Sequence, residues 1–164
     1  MTDDLASFYR RTCPALVGLL TSVGGSRSDA EEIAHDAYLA LLPRWNHVRT
    51  YDSPEAWVRT VALRSLISRQ RRARVASLGL RRLAHEPLAD APPPNSDSVA
   101  VAAALRTLPV GHRAVLVLHH GLDLSVEQVA RELDIPVGTV KSRLARARSA
   151  VQPLLVDEER SEHE

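Results

Sequence analysis

The chain has 164 residues, 45% of them apolar and 25% charged, enough for one ordinary domain or two small ones and too few for a large enzyme fold. Both fractions lie near the globular average, which excludes wholesale disorder and a collagen-like chain; Cys13 is alone, which excludes an internal disulfide or a cysteine-cluster metal site and suits a reducing cytoplasm. The net charge is only +1, but residues 55–82 carry +7, the last nine residues carry −4, and 139–148 hold four cations and no acid, so two separate basic blocks point to a polyanion touched at two places.

Taken in chain order, residues 1–24 mix Asp3, Asp4, Arg10 and Arg11 with apolar pairs. This is neither the basic-then-apolar order of a signal peptide nor a spanning segment, and no membrane insertion is expected. Phe8, Leu16, Leu19 and Leu20 line a first predicted helix that ends near Gly24–Gly25. Ser28 with Glu31 predicts a capping box opening a second helix, with Ile33, Ala37 and Leu41 on one stripe. Ser53 as N-cap and Pro54 at the first helical position open a third, which runs to about Val75. Trp57, Val61 and Ile67 are expected to bury, whereas Arg59, Arg64, Arg69, Arg71, Arg72 and Arg74 cannot all do so, and the second half of this helix must present cations to something.

The stretch LAHEPLADAPPPNSDS from Leu83 to Ser98 combines three consecutive prolines with turn formers and predicts a flexible linker. Beyond it, helices are expected over Ser98–Thr107, Val110–His120, Ser125–Asp134 and Val137 to about Val151. Ser125 with Gln128 is a capping box, and the short connection Ile135-Pro136-Val137-Gly138 turns one helix onto the next, a helix-turn-helix signal. The expected organisation is therefore all-α: two small helical domains at 1–80 and 99–155, a flexible proline-rich linker at 81–98, and an acidic, unstructured tail at 156–164.

At about 100° per residue, Val140, Leu144, Ala147 and Val151 of the last helix fall on one stripe that must face the core. Ser142, Ala145, Arg146 and Ser149 point the other way, flanked by Lys141, Arg143 and Arg148. A small, polar, cationic face suits the major groove, where Arg grips guanine edges bidentately and Ala permits close approach. A solvated surface helix is the alternative, disfavoured by the capped partner helix, the tight turn and the lack of acids at 139–148. His119–His120 fits a helix C-terminus better than a metal site, since adjacent residues diverge and no third ligand is apparent. No catalytic constellation and no cofactor site is evident.

The string SVEQVARELDIPVGTVKSRLARAR (125–148) closely resembles region 4 of the group-IV, or extracytoplasmic-function (ECF), sigma factors of bacterial RNA polymerase, in the sigma-70 family. SDAEEIAHDAYLALLPRW (28–45) is similar to their region 2.2, and SPEAWVRTVALRSLISRQRRAR (53–74) to regions 2.3 and 2.4. The resemblance implies a specificity subunit that catalyses nothing itself. It also implies core RNA polymerase (largest-subunit clamp and flap), promoter DNA and an anti-sigma factor as partners. Carried over residue by residue, −35 contacts fall on Lys141, Ser142, Arg143, Ala145, Arg146 and Arg148, and polymerase contacts on Glu32, Asp36, Leu39, Arg44 and Trp45. The −10 contacts fall on Arg64, Ser68, Arg69, Arg71, Arg72 and Tyr51. Arg64 and Ser68 depart from the family pattern, in which Asn is usual at the first position and Asp or Asn at the second. Either Arg64 grips backbone phosphate and alters the −10 preference, or base capture has moved to the loop Asn46–Ser53. Two rival readings are a stand-alone helix-turn-helix regulator and a sigma-like decoy that binds polymerase or an anti-sigma factor without initiating.

Overall fold

The computed structural model describes residues 4–80 and 103–161, where regular structure is helical throughout. The linker expected at 81–98 and the first residues of the helix expected from Ser98 lie outside the described residues, as do 162–164. The chain divides into two compact units, Met1–Ala89 and Asp90–Glu164.

In the first unit, α1 spans Leu5–Gly24 and α2 Arg27–Leu41; a 3₁₀ turn, Leu42–Arg44, leads into the short α3, Trp45–Val48, and α4 spans Pro54–Leu80. α1 ends where Gly25 turns left-handed at φ 82° and donates its N–H to the Thr21 carbonyl at 2.7 Å, a conformation that favours glycine. α2 begins two residues earlier than the Ser28 signal predicts. Ser26 is its N-cap, accepting from the Asp29 N–H at 3.2 Å, and this register lets Arg27 pair with Glu31 at 3.0 Å one turn on. Ser53 caps α4 as expected, accepting from the Ala56 N–H. α4 runs to Leu80 rather than Val75, because nothing between them but the exposed Gly79 breaks a helix.

α1, α2 and α4 pack on one another around Phe8, Leu16 and Leu20, around Ile33, Ala37 and Leu41, and around Val58, Ala62, Leu63 and Leu66. The buried stripe of α4 thus differs from the expected one. Trp57, Val61 and Ile67 are only half-buried, each one residue and about 100° off the 58–62–66 line that faces α1 and α2.

In the second unit, α5 (103–107) precedes α6, Val110–Leu116, which widens into a π-helical turn over Val117–Gly121. α7 is Val126–Leu133 and α8 is Val137–Ser161. The capping box at α7 is reciprocal: Gln128 N–H donates to Ser125 Oγ at 3.1 Å and Ser125 N–H to Gln128 Oε1 at 2.8 Å. Asp134 ends α7 in the left-handed region at φ 54°, Ile135 N–H reaches back to the Ala130 carbonyl, and the Pro136 carbonyl starts α8 by accepting from Thr139 and Val140. α8 packs on α6 and α7 through Val140, Leu144 and Ala147, all buried as the wheel predicts, while Val151 is half-buried. Its backbone continues to Ser161, past Pro153, so residues 156–161 of the tail expected to be unstructured are helical. Leu154 and Leu155 before that stretch and Glu158, Glu159 and Arg160 within it are good helix formers and carry the helix on despite its charge.

Candidate nucleic-acid interface

Helix α8 carries a cationic outer face. Ser142, Ala145 and Arg146 are exposed on the side opposite the Val140–Leu144–Ala147 stripe, and Lys141 is exposed at its flank. Ser142 spends its hydroxyl proton on the Thr139 carbonyl at 3.0 Å, which leaves its oxygen as an acceptor toward an incoming donor. The two flanking arginines are held against α6. Arg143 is half-buried and its guanidinium lies over Gly111, where a β-carbon would sit 2.8 Å from Nη1; glycine there makes room for the arginine. Arg148 is exposed and its Nη2 donates to His120 Nε2 at 3.4 Å. His119 Nδ1–H donates to the Leu124 carbonyl at 2.7 Å, so this histidine ties the end of α6 to the following loop. Burial, then the nearby Arg143 and Arg146, hold His112 below its ordinary pKa. His120 is likewise lowered by burial first, then by His119 and Arg148, against an opposing effect of Asp123.

A second cation face lies on α4. Arg64, Ser68, Arg71 and Arg72 are exposed and share an arc of about 100°. Arg69 is turned off that arc toward α2, where it meets Glu32 Oε2 at 3.3 Å and Asp29 Oδ1 at 3.6 Å. The hydrogen bond and charge of Glu32, then Asp29, raise its pKa further. Tyr51 is exposed in the turn after α3, with its ring edge-on to His47.

On α2, Glu32, Asp36 and Leu39 form one exposed stripe, and Arg44 beyond it donates to the Ala40 carbonyl at 3.1 Å. Trp45 is half-buried, its ring centroid 5.0 Å from that of Phe8. It therefore helps seat α3 on α1 and offers only part of its ring to a partner. Glu32 and Arg69, expected to serve different partners, are each other's partners across 37 residues. Sequence reasoning missed Leu42, 58% exposed beside Leu39 at 51%; the i, i+3 spacing of two leucines at a helix end was the available signal. Together with Leu5, Tyr9 and Tyr38 these leucines line a groove of about 490 Å³.

A helix-turn-helix with a cationic outer face, and a separate helical unit with one basic and one acidic face, define a DNA-binding protein with a further protein-docking surface. The sigma-70 region 2 family model matches residues 8–75 and the sigma-70 region 4 model residues 98–151. The chain is 30% identical over 147 residues to the ECF RNA polymerase sigma factor SigM of Mycobacterium tuberculosis, covering 90% of this chain and 74% of that protein. It is 32% identical over 136 residues to SigL of the same species, covering 78% and 75%. The RNA polymerase sigma-E factor of Streptomyces coelicolor is 27% identical over 128 residues, 78% of this chain and 72% of that one. Among solved structures, the sigma factor RpoE from Bartonella quintana, in complex with the anti-sigma factor NepR, shares the fold with a TM-score of 0.75 at 23% identity, over 94% of this chain and 98% of that one. The chain belongs to the ECF sigma factors of the sigma-70 family. It is an alternative sigma factor, binding core RNA polymerase and promoter DNA in transcription initiation. No helix among the described residues is long and apolar enough to cross a membrane.

Proposed function

We propose a division of labour among three faces. The outward side of α8, Lys141, Ser142, Ala145 and Arg146 with Arg143 and Arg148 at its edges, reads the −35 element from the major groove. The α4 face, Arg64, Ser68, Arg71 and Arg72, with Arg69 beside it and Tyr51 in the loop before, engages the −10 element, the arginines on phosphate and Tyr51 as a stacking platform for an unpaired base. The α2 stripe, Glu32, Asp36 and Leu39 with Arg44 and Trp45 at its end, docks on a basic coiled coil of the polymerase clamp. The first helical domain thus serves polymerase and −10 binding, and the second −35 binding and the polymerase flap. We assign the protein to the cytoplasm, as a factor that catalyses no reaction itself, with a protein of the anti-sigma kind as its further partner.

The observation that supports this reading best is the segregation of charge in the first unit: exposed acids run along α2 while Arg64, Arg71 and Arg72 of α4 share a different face. Two substitutions test it. Arg146→Ala should weaken binding to a cognate −35 duplex by about 1–3 kcal/mol and leave polymerase binding intact. Equal loss on random DNA would reduce Arg146 to a phosphate contact. Asp36→Arg should do the reverse, and retained polymerase affinity would refute the assigned docking stripe.

A further inference from the structure

The end of α6 is coupled to the DNA-facing side of α8 by one polar contact, and its chemistry depends on a proton. Arg148 Nη2 and His120 Nε2 are 3.4 Å apart. A guanidinium only donates, so His120 must accept with an Nε2 lone pair, which exists only in the neutral imidazole with its proton on Nδ1. The groups facing His120 are Arg148 from α8, His119 beside it in the π turn, and Asp123 in the loop that follows. His119 is tied to the Leu124 carbonyl, and its ring lies edge-on to His120 with centroids 4.7 Å apart.

We propose that His120 is a positioning residue for Arg148: as neutral imidazole it holds the guanidinium against the end of α6, and on taking up a proton it releases Arg148 toward duplex DNA, so that DNA binding through α8 is accompanied by proton uptake at His120. Protonation fills the accepting lone pair and sets two cations side by side. In free protein that arrangement is repulsive, whereas a phosphate brought close by DNA attracts both. DNA and the proton therefore bind with positive, reciprocal coupling. If DNA raises the affinity of His120 for its proton by about one pKa unit, affinity for DNA gains at most about tenfold between neutral and acid pH. This inference rests on the assignment of α8 to DNA, and its test separates the two.

The first measurement uses the full chain without DNA: an NMR titration of the His120 ring in the wild type and in Arg148→Gln. Removal of the guanidinium should move the midpoint upward; an unchanged midpoint would overturn the contact and the proposal. The second is fluorescence anisotropy with a short labelled random-sequence duplex at constant ionic strength, at about pH 7.5 and about pH 5.5. The wild type should bind several-fold more tightly at the lower pH. His120→Gln, which keeps an acceptor for Arg148 but cannot titrate, should lose at least about threefold of that ratio; His112, which faces Arg143 and Arg146, supplies any remainder. The same ratio in both proteins would overturn the proposal while leaving α8 a DNA-binding helix. No binding at either pH, with the NMR shift as expected, would strike down the DNA assignment of α8 and the proposal with it.

Discussion

Glu32→Gln separates what the α2 stripe does for the fold from what it does for a partner. The carboxylate meets Arg69 at 3.3 Å, but the two side chains are 60% and 41% exposed, and Arg69 keeps Asp29 at 3.6 Å when Glu32 is neutralised. Water and salt screen such a pair, so its contribution to folding is about 0–1 kcal/mol. For a unit of this size that corresponds to a fall in Tm of at most about 4–8 °C. At an interface with a basic coiled coil the same charge is partly desolvated, and its loss should weaken polymerase binding by about tenfold or more, roughly 1.4 kcal/mol. Thermal unfolding followed by circular dichroism gives the first quantity, and competition for core polymerase the second. The double-mutant cycle with Arg69→Gln isolates the intramolecular pair. A large fall in Tm would refute the screening argument; unchanged polymerase affinity would refute the assignment of Glu32 to the interface.

Two glycines of α1 should respond in opposite directions to alanine. At Gly24 a β-carbon would lie 2.9 Å from Leu66 Cδ1 and 3.2 Å from Gln70 Nε2, and Leu66 is buried in the core. Overpacking of about 1–3 kcal/mol then outweighs the roughly 0.5–1 kcal/mol that helix propensity returns, and Gly24→Ala should lower the urea midpoint. At Gly18 nothing lies within 4 Å, so Gly18→Ala should raise the midpoint by the propensity gain of about 0.5–1 kcal/mol; the same sign at both sites would contradict the packing described. Burial raises the Tyr38 phenol from 10.0 to about 12, only partly offset by its hydrogen bond with Thr12. The folded state therefore favours the neutral phenol, and this stabilisation is complete below pH 10 and fades as pH rises toward 12. Tyr38→Phe should be less stable at neutral pH for want of the Thr12 bond, yet lose less than the wild type over that alkaline range; parallel alkaline curves would show that Tyr38 is not the titrating group.

Local signals carried the second unit well. Ser125 and Gln128 form the reciprocal box their spacing predicts, and the Val140–Leu144–Ala147 stripe faces the core because a buried helix face has one period. Where two local signals compete, sequence alone chose badly: Ser26 and Asp29 have the same spacing as Ser28 and Glu31, and the earlier pair wins, with Arg27 reaching Glu31. The buried line of α4 was misplaced by one residue because apolar side chains at 57, 58, 61, 62, 63, 66 and 67 cover about three-quarters of its circumference at about 100° per residue, and only the packing of α1 and α2 selects among them. The contacts that join remote segments were not legible at all. Nothing local to Arg69 foretells Glu32, and nothing local to Arg143 or Arg148 foretells Gly111 and His120. These contacts follow from where helices cross, and they separate the arginines that stand freely outward from those held against a neighbouring helix.

Initiation directed through two separate DNA faces can be tested by run-off transcription with purified core polymerase on a pooled promoter library, with and without the protein. New transcripts from defined start sites sharing two upstream elements, one lost with Arg146→Ala, are the predicted result. Stable polymerase binding without new transcripts would contradict the account and leave a factor that occupies polymerase without initiating.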